Sequence, residues 1–356
     1  MYEIPQLQVA EVSSTLRLSY IDSFSLLKPH ERPPTYQTIL AVHGVGFNSA
    51  IFSPLIPHLS STTRFIAYNQ RSCTGSSPAY ESRAKGGTDV TARYLKDMLE
   101  FLEWCIECLE LPRKTEAGGG VVVLSWSKGT VIPISLLSLL FHSQVSSLPS
   151  NTFLSHLSPG NTSLAESLVS SHLKSLILFE PPGSAFARPV TQDFLDSMSH
   201  VLPPHDTTVT RQEWADAFAG WVAAYRPART DDEERQQLEP SDLKDLDQGL
   251  VERGWQWECV DHGFSWSLAS EKDAVREIGL GAIRGDLQGR LGVGILYGSR
   301  TVAYFEETVE MIRGCWKVDG SANKLIKSVE GTNHFGFVHK PKEFARILNE
   351  LIVQLE

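Results

Sequence analysis

Six short apolar runs, Ile39–Val42, Phe65–Tyr68, Val121–Leu124, Leu176–Phe179, Val293–Tyr297 and Leu325–Val329, recur along the chain with helical patterns between them. Apolar runs without alternation mark strands buried on both faces, and strands interleaved with helices mark a mostly parallel sheet layered by helices on each side. The helix between the second and third runs is directly legible. Leu95, Met98, Leu99, Leu102, Ile106 and Leu109 repeat at three- and four-residue steps, one stripe to pack on the sheet. At 356 residues the chain buries a large core without needing a disulfide or metal staple. No internal repeat points to a solenoid or propeller.

Two stretches interrupt this alternation. From Phe141 to Ser171 the sequence is rich in Ser, Leu and Asn, and reads as a helix end followed by a mobile surface excursion. From about Gly183 to Arg290 the strand pattern stops, and Trp214, Trp221, Trp255, Trp257 and Trp266 appear together with the acidic run Asp231–Glu234. This second stretch reads as an inserted, mainly helical cap. The organisation expected is a core in two parts, residues 1–184 and 291–356, with the cap over 185–290.

The formal net charge of -10 is concentrated in that insertion: residues 201–290 hold 18 acidic and 10 basic side chains, a balance of -8. A near-neutral core with an acidic cap has no positive footprint for phosphate backbones, so nucleic acid is not expected as a partner. Cys73, Cys105, Cys108, Cys259 and Cys315 are odd in number and scattered, unlike a secreted disulfide framework. Cys105 and Cys108 have redox spacing but fall on one helix as ordinary i, i+3 neighbours. The start, Met1–Pro5, lacks the basic end and apolar stretch of a signal peptide, and no apolar run reaches membrane-spanning length. A cytoplasmic protein is expected, with the glycosylation-like triplet Asn161–Ser163 accidental.

Chemistry concentrates in three segments. In the first, the apolar run Val121–Leu124 leads through Ser125, Trp126, Ser127, Lys128 and Gly129 into a helical stretch. A strand, a sharp turn and a helix with small residues two before and two after a serine form the context of a nucleophile elbow, which exposes the hydroxyl of Ser127. In the second, Ile39–Val42 ends in His43-Gly44, followed by Val45-Gly46 and a helical segment. In the third, Gly331-Thr-Asn-His334 is followed by Pro341 and Phe344, the start of a terminal helix. An imidazole with an ordinary pKa near 6.5 can accept a serine proton and return it to a leaving group near neutral pH. No histidine pair has metal-ligand spacing, and neither metal nor cofactor is expected.

In this order, the three segments resemble the α/β-hydrolase fold. Arg71–Ser76 is similar to that family's loop after its fourth strand, with a mainly structural role. The resemblance implies Ser127 as nucleophile, His334 as base, and the backbone N–H groups of Val45 and Lys128 as the oxyanion hole. His43, in its turn, and His339, five residues after His334 near the helix start, are read as structural. The side chain of Lys128 has two readings, positive charge toward an anionic substrate or a place along the helix surface.

The acid departs from the common pattern. Relatives usually carry Asp a few residues after the strand ending here at Tyr297-Gly298, where this chain has Thr301. Some members, haloalkane dehalogenases among them, draw the acid from the end of the preceding strand, which here is Glu180. The expected set is therefore Ser127, Glu180 and His334, with Glu306 and Glu307 as weaker candidates on the following helix. A serine nucleophile implies acyl transfer through an acyl-serine. The first function expected is hydrolysis of a carboxylic ester or thioester of a hydrophobic small molecule. The alternatives are a lyase or cyclase of natural-product metabolism on the same fold, and a small-molecule receptor that has lost turnover.

Overall fold

The computed structural model describes residues 5–78, 89–144, 153–186, 283, 290–301, 303–319 and 323–356. Its strands are β1 (Gln8–Ser13), β2 (Leu16–Asp22), β3 (Gln37–Val42), β4 (Thr63–Tyr68), β5 (Val121–Trp126), β6 (Leu173–Phe179), β7 (Gly292–Gly298) and β8 (Lys324–Val329). They form one sheet in the order β1-β2-β4-β3-β5-β6-β7-β8. The β1-β2 and β2-β4 pairs are antiparallel, and every pair from β4-β3 to β7-β8 is parallel.

The six apolar runs are the six strands of the parallel part, and burial explains why they do not alternate. In β3, Leu40 and Val42 pack into one core cluster while Ile39 and Ala41 pack into the other, on the opposite face of the sheet. β5 does the same with Val121 and Val123 against Val122, Leu124 and Trp126. Both faces are apolar because both are covered. β8 differs from the expectation of full burial. It is the sheet's edge, and Lys324 to Ser328 are only half-buried.

The hairpin β1-β2 has no counterpart among the apolar runs. β1 keeps Ala10 buried among exposed or half-buried neighbours, and β2 carries Arg17 and Ser19 between Leu16, Leu18 and Tyr20. A strand at the antiparallel edge can spare alternate positions for solvent or hydrogen bonding.

Helix α1 (Asp89–Cys108) buries Leu95, Met98, Leu99 and Leu102 as its stripe requires, with Cys105 fully buried and Ile106 at the margin. Helix α2 (Val131–Gln144) follows the β5 turn. The stretch expected as a surface excursion instead contains helix α3 (Pro159–Ser171). The Ser158 hydroxyl accepts from the Asn161 N–H, and the Asn161 side chain accepts from the Ser158 N–H, a reciprocal cap. Ala165, Leu168 and Val169 are the buried face. Serine enrichment concealed this helix because its serines lie on the exposed side and at the cap. Helices α4 (Ala303–Asp319), α5 (Gly336–His339) and α6 (Pro341–Leu355) complete the layers.

Two buried ion pairs fix loops around this frame. Arg64 on β4 makes a forked contact with Asp22 at the end of β2, at 3.1 and 2.6 Å. Arg71, in the loop after β4, pairs with Asp97 on α1 at 2.8 Å, which gives that loop the structural role expected of it. Cys105, Cys108 and Cys315 are free thiols, whereas Cys73 is disulfide-bonded. The cap expected over 185–290, with its five tryptophans, lies outside the described residues apart from 185, 186, 283 and 290. Among the described residues no helix is long and apolar enough to cross a membrane.

Candidate active site

At the C-terminal end of β5 the chain turns sharply. Trp126 is extended, Ser127 has φ +53°, and a turn over Ser127–Thr130 leads into α2. A side chain held in the left-handed region costs about 1–3 kcal/mol and persists where the surroundings over-determine it. Here Thr130 Oγ1 donates to the Ser127 carbonyl at 2.6 Å, closing the turn. Gly129 is required by contact: a Cβ there would lie 2.4 Å from the His43 carbonyl oxygen. Ser125 stands where relatives commonly have glycine. It is fully buried, and its hydroxyl donates to the Ile177 carbonyl on β6 at 3.2 Å, so the extra polar atom is satisfied.

The same contacts bring the His43-Gly44-Val45 turn against the elbow. A Cβ on Gly44 would lie 3.1 Å from both Ser127 Cβ and the Trp126 ring. Among the described residues the Val45 N–H donates no hydrogen bond. His43 is buried, with Nδ1–H donating to the Gly44 carbonyl at 2.9 Å and Nε2 accepting from the Gln70 N–H at 3.1 Å. Desolvation pushes its pKa down to about 4. Both ring nitrogens are thus committed to holding the turn. An unfolded histidine titrates near 6.5, so between pH 6.5 and 4 the unfolded chain binds the extra proton and stability falls with pH. The full effect is about 3 kcal/mol. In urea unfolding, the stability lost between pH 7 and pH 4.5 is expected to be larger for the wild type than for His43→Gln, which cannot titrate; equal losses would remove this role.

β6 ends at Phe179, and the next residue, Glu180, is completely buried with φ +49°. Its Oε1 accepts the Gly298 N–H at 2.9 Å, and its Oε2 lies 2.6 Å from Nδ1 of His334. A carboxylate anchored by a backbone N–H at one oxygen has its second oxygen aimed, and this one is aimed at the ring. Thr301 is also buried, but its hydroxyl has no hydrogen-bond partner among the described residues. Glu306 and Glu307 are exposed on α4.

Trp126 links the elbow to the histidine loop. Its indole N–H donates to the His334 carbonyl at 2.9 Å, and the two rings lie 5.1 Å apart. Phe305 from α4 stacks on the imidazole at 4.9 Å with an interplanar angle of 20°. Trp126, Gly298 and Phe305 are site residues that sequence reasoning missed. A tryptophan inside a strand and an aromatic on a helix read as core from sequence, and a backbone N–H carries no residue signature. His339 lies at the end of α5, its ring edge-on to Phe335 at 6.3 Å. Lys128, directly after Ser127, has its amine brought down to about 8 by desolvation. Among the described residues no group of three or more metal-ligating side chains comes together.

Residues 39–347 match the model of the alpha/beta hydrolase family. The chain belongs to that family. No curated protein sequence matches it. Among solved structures it is similar to an esterase from Exiguobacterium antarcticum, with 14% identity, TM-score 0.55, and 98% of this chain and 100% of that chain covered. It is similar to the haloalkane dehalogenase DatA from Agrobacterium tumefaciens C58, with 10% identity, TM-score 0.56, and 99% and 97% covered. A bromoperoxidase from Bacillus anthracis matches with 12% identity and TM-score 0.54, over 98% and 100%. At these identities the likeness is one of fold. This alpha/beta hydrolase therefore shares its architecture with enzymes of differing chemistry, and its reaction has to be argued from its own side chains.

Proposed function

We propose that this alpha/beta hydrolase is a serine hydrolase that cleaves a carboxylic ester or thioester of a hydrophobic small molecule through an acyl-serine intermediate. The observation that carries the reading is the 2.6 Å contact between Glu180 and the Nδ1 of His334, beside an elbow that carries Ser127 at positive φ. A carboxylate accepting from Nδ1–H leaves Nε2 as the proton acceptor and stabilises the imidazolium that forms. His334 then takes the Ser127 proton as Oγ attacks the carbonyl carbon. The N–H groups of Val45 and Lys128 receive the developing oxyanion, and each such donor is worth about 3–4 kcal/mol at the transition state. His334 returns its proton to the leaving alcohol or thiol. Water, deprotonated by the same ring, then releases the acid and regenerates the serine.

A serine at this position supports acyl transfer rather than the alkyl displacement that an aspartate nucleophile would perform. The esterase among the structural neighbours agrees with that choice. The tryptophan-rich stretch 201–290 supports a hydrophobic substrate, since aromatic surface is what such pockets use. A fluorophosphonate probe tests the reading directly. The wild type is expected to be labelled and Ser127→Ala is not. A folded wild type that stays unlabelled would overturn the acyl-serine mechanism and leave a lyase, cyclase or receptor.

A further inference from the structure

We propose that Trp126 and Phe305 are positioning residues that clamp His334, one through its backbone and the other through its ring. This rests on the reading of His334 as the base. A hydrogen bond from Nδ1 to Glu180 fixes one atom and one direction but leaves the plane of the imidazole free to swing about that axis. The stacked face of Phe305, 4.9 Å away and inclined by only 20°, fixes the plane. Trp126 packs against the ring at 5.1 Å and 45°, and Phe335 meets it edge-on at 5.8 Å. Trp126 and Phe305 are both buried, so neither ring is free to leave the contact.

The indole N–H adds a distance constraint. It comes from the residue immediately before Ser127 and donates to the carbonyl of His334 itself, at 2.9 Å. The backbone carrying the nucleophile is thereby tied to the backbone carrying the base by one short bond, without passing through the sheet. The end of β7 and the start of α4, between which relatives commonly carry their acid, supply this chain with a backbone donor through Gly298 and an aromatic face through Phe305. The charge comes from β6, and the β7–α4 segment supplies orientation.

Misplacing a reacting group by about 1 Å can cost on the order of 100-fold in rate. The test uses the full chain, p-nitrophenyl butyrate, and the low-field proton NMR signal of the Nδ1–H held by Glu180. Phe305→Leu removes the plane, and Trp126→Phe removes the N–H together with part of the indole surface. Each is expected to lower kcat by about 10- to 100-fold, with KM within about threefold and the low-field signal broadened or lost. Phe305→Tyr keeps the face and is expected to keep kcat and signal. Val309→Ala, one turn along α4 and buried in the core, is expected to lower the melting temperature while sparing both. The clamp is overturned if Phe305→Leu and Trp126→Phe keep wild-type kcat and signal, if Val309→Ala loses as much kcat as they do, or if the wild type shows no protected low-field proton. A wild type that hydrolyses no ester would fail the hydrolase reading alone, and the NMR signal would still decide the clamp.

Discussion

Ser127→Ala is expected to lower ester turnover by on the order of a millionfold, the scale at which removing the atom that forms the acyl bond acts. The change deletes one oxygen and leaves the frame intact. The turn is closed by the Ser127 carbonyl accepting from Thr130, and by Gly129 against the His43 carbonyl, neither of which uses the Ser127 hydroxyl. Alanine meets the same cost at φ +53° as serine, so the melting temperature should change little. Steady-state hydrolysis of a chromogenic ester, with the folded fraction checked by calorimetry, reads the effect. A variant that retains more than about 1% of turnover would exclude Ser127 as the nucleophile, because residual catalysis without it amounts to only about 10³–10⁴ over water.

Glu180→Gln should lower turnover by about 10⁴, with little change in structure. The amide oxygen can still accept the Gly298 N–H in the place of Oε1. The amide nitrogen then faces Nδ1 of His334, where the carboxylate now lies at 2.6 Å. Two donors cannot face each other, so the ring is driven to the tautomer protonated on Nε2, which cannot take the serine proton. The negative charge that stabilises the imidazolium is lost as well. Glu306→Gln and Glu307→Gln, at exposed positions on α4, should stay within about twofold of wild type, the scale of a surface change. Comparing kcat/KM for the three variants decides the acid. Equal effects, or none, would remove Glu180 from the mechanism.

The choice of Glu180 shows how far a sequence can carry a site. The run Leu176–Phe179 marks a strand, and the residue after it is a carboxylate, but nothing in the order of residues says that β6 and the histidine loop converge. The sheet does that by laying β6 beside β7 with Phe179 opposite Leu296 and bringing the Gly298 N–H to Glu180. The excursion expected after the helix end failed over residues 159–171 for the opposite reason. Its composition suggested a loop, while the reciprocal cap at Ser158 and Asn161 and the buried face of Ala165, Leu168 and Val169 make a helix there. Local composition lost to packing.

The sequence by itself determined the layered α/β architecture, because strands buried on both faces read as nearly continuous apolar runs, and such runs interleaved with helical patterns leave few other folds. It also pointed to the elbow, because small residues at Ser125 and Gly129 flank Ser127 between a strand and a helix, although the contact that requires Gly129, with the His43 carbonyl, is tertiary. Only the tertiary structure decided how Glu180 meets His334 and what holds the ring. Those contacts span separations of 154 and 208 residues, for Glu180–His334 and Trp126–His334, and depend on side-chain directions set by the register of the sheet and the packing of α4. Spacing along a chain encodes periodicity and turns, and it carries no distance between segments that meet only when the sheet is assembled.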